Sequence, residues 1–199
     1  LVARAVIMSG AYEHNWAKHM DGPDEALDAA FARWQNRLPL YNLRLSNLSA
    51  AIIRAQLPEV PRRVQAGRAN HDHVAGRLDS SPHLSVPAPL DGEVRAPDSI
   101  QFNLVGLSDA EARDFAENAA TRGVKVQVFG QSTDNARAFW NWGFLPGPAP
   151  DLPRTRAMLM RACDVRLPAR LTRQDCDTVA DILLEAVAEV TGARRAYGT

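Results

Sequence analysis

Apolar positions recur along the chain with two periods, and each period marks a kind of element. In NLSAAIIRAQL, Leu48, Ala51, Ile52, Ala55 and Gln56 recur at three- and four-residue spacing and form one face of a helix. Ser46 or Asn47 caps it, because a short side-chain oxygen satisfies amides left free in the first turn. Asn42 and Arg44 stand just before this start, where they can be presented to an anion beside free amides and a positive dipole end. Over 1–10, Leu1, Ala5 and Met8, flanked by Val2 and Ile7, predict an apolar helical face closed by Gly10. No capping residue precedes it, so it reads as a helix already under way. Asp24 caps a predicted helix over 25–34, with Ala26, Ala29, Ala30, Phe31 and Trp34 as its buried side. Pro58 and Pro61 predict a break or kink between Leu57 and Arg62. The pattern then resumes through Val64, Ala69, Val74, Ala75 and Leu78.

The second half changes period. Leu84 to Val86 reads as a short strand, and 87–97 as a loop rich in proline, glycine and charge. Ser99 to Leu107 alternates, with Ile100, Phe102 and Leu104 against Gln101, Asn103 and Val105, so a strand is expected. Ser108 caps the next helix with Glu111 as its capping-box partner, and the helix ends near Gly123. Val124 to Phe129 alternates again, Asp164 to Leu167 reads as a late strand, and Arg173 to Val190 as a closing helix. Strand, helix, strand, strand and helix give an α+β layer.

Composition narrows the function classes. Apolar content of 46% and charged content of 23% are those of an ordinary soluble globular protein. The net charge is zero, which gives no case for nucleic acid or an anionic membrane as partner. No apolar run reaches the ~20 residues a membrane span needs, and no signal peptide is visible. Cys163 and Cys176 have neither metal-ligand spacing nor a small secreted framework around them, so a reduced, cytoplasmic setting is expected. His14 and His19 are five apart, off the i, i+4 spacing of two ligands on one helical face; no metal site is expected there. His71 and His73 flank Asp72 and are expected to face solvent.

Two stretches carry a family resemblance. YNLRLSNLSAAIIRAQL resembles the G-x-N-x-R-(M/L)-S-x-x-x-A-A segment of the DegT/DnrJ/EryC1/StrS aminotransferases, and RLPARLTRQDCDTVADILLEAV resembles that family's closing LPLHPGLTDEDVDRVVEAL pattern. The order of elements between them follows the family. The resemblance spans nearly the whole chain but only the C-terminal half of the family. It implies part of a fold-type-I enzyme using pyridoxal 5'-phosphate. The expected fold is α+β or α/β: interface helices, then a small domain with a short, mostly antiparallel sheet covered by helices. Residues 1–57 would be the end of the large domain and a dimer-contact helix, 58–82 a linking helix, and 83–199 the small C-terminal domain.

The resemblance also implies roles. Asn42 matches the asparagine that reaches across a homodimer to the cofactor phosphate of the other subunit; an amide donates to an anion without needing a charge. Arg44 matches the motif's arginine, which pairs with an interface carboxylate, approaches the substrate diphosphate, or maintains structure. The family's glycine two residues before the asparagine is Leu40 here. Tyr12 and His14 fall near the active-site entrance. After the Val124 strand many relatives carry a histidine cluster that shapes the substrate pocket; Phe129 and Gln131 stand near that place, with no histidine. The aromatic run Phe139, Trp140, Trp142 and Phe144 is either a packed loop or short helix, or an aromatic wall for a ring.

The chemistry itself needs a lysine and an acid paired with the pyridine nitrogen. Only Lys18 and Lys125 are lysines, and neither lies in the family's Ser-x-x-x-x-Lys setting. Three readings follow. The first is the C-terminal portion of a transaminase acting on a keto-sugar nucleotide or related small molecule with an amino donor, beginning downstream of the cofactor lysine and inactive alone. The second is a catalytically silent binding or regulatory module, and the third an unrelated small α+β interaction domain. Apolar faces over 1–10 and 46–57, left uncovered, predict poor solubility.

Overall fold

The computed structural model describes residues 1–9, 25–34, 37–39, 41, 45–132, 137–143 and 146–197, with side chains described as far as 192. It divides into two compact units, Leu1–Pro58 and Glu59–Thr199.

In the first unit, α1 (Val2–Met8) and α2 (Glu25–Trp34) share a small core of Ala3, Ile7 and Phe31, with Val6, Leu27, Ala30, Trp34 and Leu38 packed on it. The expected face of α1 was misplaced: Leu1 and Val2 are exposed and Ala3 and Ile7 are buried. Arg4 is the one polar residue of VARAVIM, so spacing alone defines no face. The Arg4 guanidinium lies over the Trp34 ring at 5.1 Å, on α2. On α2 the buried stripe runs Leu27, Ala30, Phe31, Trp34, whereas the expected Ala26 and Ala29 are exposed. Gly10 and Asp24, expected as caps, lie outside the described residues.

Ser46 caps α3 (Asn47–Gln56), accepting from the Ser49 amide at 3.1 Å. No residue of α3 is buried, and Leu48 (73% exposed) and Ile52 (53%) show that its apolar stripe has no partner among the described residues. The expected break follows as a 3-10 turn, Leu57–Glu59. Pro61 then falls in the first turn of α4 (Val60–Leu78), where its missing amide proton costs nothing.

The second unit is a four-stranded, wholly antiparallel sheet with helices on one face. β1 (Leu84–Ser85), β2 (Ser99–Leu104), β3 (Gln127–Val128) and β4 (Ala162–Arg166) lie in the order β1-β2-β4-β3. The register Phe102↔Cys163 and Val128↔Cys163 aligns one inward row. Against it pack Val74 and Leu78 of α4, Ala112, Phe115 and Ala119 of α5 (Asp109–Thr121), and Cys176 to Val190 of α7 (Arg173–Tyr197). The capping box of α5 is present in full, with the Ser108 amide donating to Glu111 Oε2 at 2.6 Å and the Glu111 amide to Ser108 Oγ at 3.2 Å. Gly123, at φ 91°, turns the chain out of α5, a conformation side chains with a Cβ resist.

Several expectations change here. The buried stripe of α4 is Gly67, His71, Val74 and Leu78; Ala69, expected in it, is exposed. His71 therefore does not face solvent, because i, i+3 and i+4 spacing places it in the stripe, at 8% exposure. His73 is also half covered, its Nε2 lying 2.7 Å from Asp177 Oδ1 of α7. The expected strand 124–129 keeps its alternating burial, but only Gln127–Val128 pairs, and Phe129 opens a 3-10 turn, Phe129–Gln131. A helix absent from the sequence reading, α6 (Pro153–Leu159), begins on a proline suited to a first helical position.

Candidate functional site

Asn42 and Arg44 lie outside the described residues, as do His14, Lys18, His19 and Phe144. Around the first pair, the Tyr41 amide donates to the Met8 carbonyl at 2.9 Å, and Ser46 opens α3.

Phe129 and Gln131 fall together in one 3-10 turn. Phe129 is buried in a cluster with Phe139 and Leu159, and the Arg137 guanidinium covers its ring at 4.2 Å. Gln131 Nε2 donates to the Asp109 carbonyl at 2.9 Å, tying the turn to the start of α5. The aromatic run is partly packing: Phe139 is buried, Trp140 meets it edge-on at 5.0 Å, and Arg156 lies 4.0 Å over Trp140.

Gln131 and Ser132 also line a groove of about 760 Å³ beside the 123–128 segment and the end of β4. β3 pairs with β4 over Gln127 and Val128 only, and Gly123 to Val126, outside that pairing, line this space. Val124, Val126, Leu171 and Val179 line it together with Lys125, Gln127, Asp164, Arg166 and Arg170. The sequence reading missed these polar residues. Their signal was the alternation itself, Lys125 and Gln127 on one strand face and Asp164 and Arg166 on another. The pairing that unites them is tertiary.

The cysteines offer no nucleophile. Burial, and then the charge of Asp164, pushes the Cys163 thiol up to about 12, and burial also raises Cys176, so both stay protonated at neutral pH. Among the described residues a titratable cluster clamps α4 to α7: Asp177 takes His73 and Arg77 Nη1, each at 2.7 Å, and Arg77 also meets Asp181. The His73 hydrogen bond, then that of Arg77, holds the Asp177 carboxyl below its usual range. A carboxylate with a lowered folded pKa contributes stability above its unfolded pKa of ~3.9, and that stability is lost as pH falls through the folded value. Urea melts at pH 6 and pH 3 should therefore show a larger acid loss for the wild type than for Asp177→Asn. Equal losses would remove the clamp from the account.

Among solved structures, the chain superimposes on Spr1654 from Streptococcus pneumoniae in its PMP form with a TM-score of 0.65 at 14% identity, covering 79% of this chain and 39% of that one. For the aminotransferase TlmJ from Streptoalloteichus hindustanus the TM-score is 0.63 at 18% identity, with 84% and 46% covered. For PseC from Helicobacter pylori, an aminotransferase involved in the biosynthesis of pseudoaminic acid, it is 0.60 at 14%, with 83% and 47% covered. The chain thus spans less than half the length of these structures, and the likeness establishes the fold alone, that of part of these fold-type-I structures. No curated protein matches it. The profile of the DegT/DnrJ/EryC1/StrS aminotransferase family matches residues 20–184, and the chain belongs to that pyridoxal-phosphate-dependent family.

Proposed function

We propose that this chain is the C-terminal portion of a pyridoxal-phosphate-dependent aminotransferase that aminates a keto-sugar carried on a nucleotide. The family match across residues 20–184 carries the reading, and the antiparallel sheet with its layer of helices agrees with it. In this reading residues 1–57 end the large domain, 58–82 link, and 83–199 form the small domain that closes over substrate.

The described residues do not themselves fit the cofactor. Their one lysine, Lys125, is exposed on the approach to β3, and the carboxylate nearest it in strand register, Asp164, is held by Ser99 Oγ at 2.8 Å. No step of the reaction is therefore assigned to them. The chain's contribution is binding and positioning: Asn42 donates to the cofactor phosphate of a second subunit, Arg44 stands at that interface, and Phe129 and Gln131 fix the turn beside the substrate. The uncovered stripe of α3 suits the homodimer contact this requires.

Two measurements test the reading. The coding DNA upstream of Leu1 should continue as an open frame carrying the lysine in a Ser-x-x-x-x-Lys setting. The chain alone, given pyridoxal phosphate, glutamate and a nucleotide-linked keto-sugar, should form no amino sugar. A start codon beside Leu1 with no such lysine would favour the silent module instead, and amination by the chain alone would overturn the assignment of the lysine elsewhere.

A further inference from the structure

The turn that holds Phe129 and Gln131 is braced from two directions, and one arginine joins the braces. Gly130 lies so close to the α6–β4 junction that a Cβ on it would stand 2.8 Å from the Met160 amide nitrogen and 2.9 Å from the Leu159 carbonyl carbon. From the other direction, Gln131 Nε2 donates to the carbonyl of Asp109 at 2.9 Å, and Asp109 opens α5. Arg161 stands in that junction, just before β4, and its guanidinium reaches the same helix start. Its Nε donates to the Leu107 carbonyl and its Nη1 to Asp109 Oδ1, the two residues that flank the cap residue Ser108. Nη1 also donates to the Met160 carbonyl at 3.1 Å. The Arg161 backbone is fixed as well: its amide donates to the Met158 carbonyl and its carbonyl accepts from the Leu104 amide, each at 3.0 Å.

Gln131 is held through a backbone carbonyl, so the place of the helix start decides where its side chain stands. The capping box fixes the conformation of that start, and Arg161 fixes where it lies against the α6–β4 junction. The Arg161 side chain is 23% exposed, and a charge-assisted bond is screened less there than at full exposure. Lysine is a poor substitute: an ammonium keeps the charge but lacks the planar fork that serves a carbonyl and a carboxylate at once. We propose that Arg161 is a positioning residue, which sets the place of Gln131 beside the substrate by locking the start of α5 to the α6–β4 junction. The inference rests on the aminotransferase reading in one respect only, that this turn stands beside the substrate; the positioning itself stands on the contacts.

The side-chain amide resonance of Gln131 in a nitrogen–proton correlation spectrum of the full chain reports this position, and its loss in Gln131→Ala identifies it. In Arg161→Lys the resonance should move toward that of a free amide. Its exchange with water should quicken roughly threefold to tenfold, the effect of loosening one hydrogen bond. The backbone amides of Phe129–Gln131 should shift with it. Asp109→Ala removes the carboxylate and leaves the carbonyl; it should give the same changes, and it decides the matter if Arg161→Lys does not fold. Arg122→Lys is the control, because it cuts an arginine contact at the far end of α5, with Glu189, from a side chain 32% exposed. It should lower stability and leave the Gln131 resonance in place. An unchanged resonance in Asp109→Ala, or in a folded Arg161→Lys, would overturn the proposal. An equal change in Arg122→Lys would overturn it too, since the effect would then be one of general stability. Neither failure touches the cofactor reading, which the upstream lysine decides separately.

Discussion

Replacing Phe115 by alanine is expected to cost the second unit about 3–5 kcal/mol, the range for truncating a buried phenylalanine. Phe115 is fully buried on α5 and meets Phe102 of β2 edge-on, with ring centroids 6.1 Å apart and planes at 89°. The loss has three sources: the transfer free energy of the ring, the cavity left behind, and the aromatic pair, itself worth about 0.5–1.5 kcal/mol. The site collapses poorly, because Phe102, which faces the ring, is fixed on β2 between its pairings with β1 and β4. Against a total stability of roughly 5–15 kcal/mol for a domain, such a loss leaves little margin. Urea denaturation of the full chain, followed by circular dichroism, measures it. A loss under about 1 kcal/mol would mean that the α5–sheet core is not the keystone of the second unit.

The sequence displayed this core well, because its elements have clean periods and strong punctuation. Ile100, Phe102 and Leu104 alternate and are buried as read, and Ser108 with Glu111 marks the start of α5 to the residue. Where the pattern failed, a run was apolar on all sides or the deciding contact was tertiary. VARAVIM is apolar save for Arg4, so only the partner helix chose Ala3 and Ile7. His71 reads as polar and was placed in solvent, although its spacing put it in the buried stripe of α4. His73 is covered because Asp177 lies more than a hundred residues away in sequence, which no local reading reveals. The candidate site divides in the same manner. Asn42 and Arg44 were legible through a motif, and they lie outside the described residues. Lys125, Arg166 and Arg170 were not legible, because their meeting depends on the register of β3 with β4 and on the early end of that pairing.

Gly130→Ala should be the most damaging small substitution in the turn that carries Gln131. A Cβ built on Gly130 would stand 2.6 Å from Met160 Sδ, 2.8 Å from the Met160 amide nitrogen and 2.9 Å from the Leu159 carbonyl carbon. The methionine sulfur can swing away, but the two backbone atoms belong to the junction of α6 with β4 and cannot. Overpacking of this kind costs typically about 1–3 kcal/mol, and the opposing gain from a stiffer unfolded chain is only about 0.4–1 kcal/mol, so destabilisation wins. The turn must also move away from Leu159 and Met160. That disturbs the Phe129, Phe139 and Leu159 cluster and shifts Gln131 along the groove. Gly76→Ala provides the contrast: its Cβ would meet nothing within 4 Å on α4. That variant should gain roughly 0.5–1 kcal/mol from the entropy that alanine does not lose in a helix. Denaturation of both variants should therefore give opposite signs for the same chemical change. If Gly130→Ala melts with the wild type, the 3-10 turn is not held by backbone contact, and the position of Gln131 has some other cause.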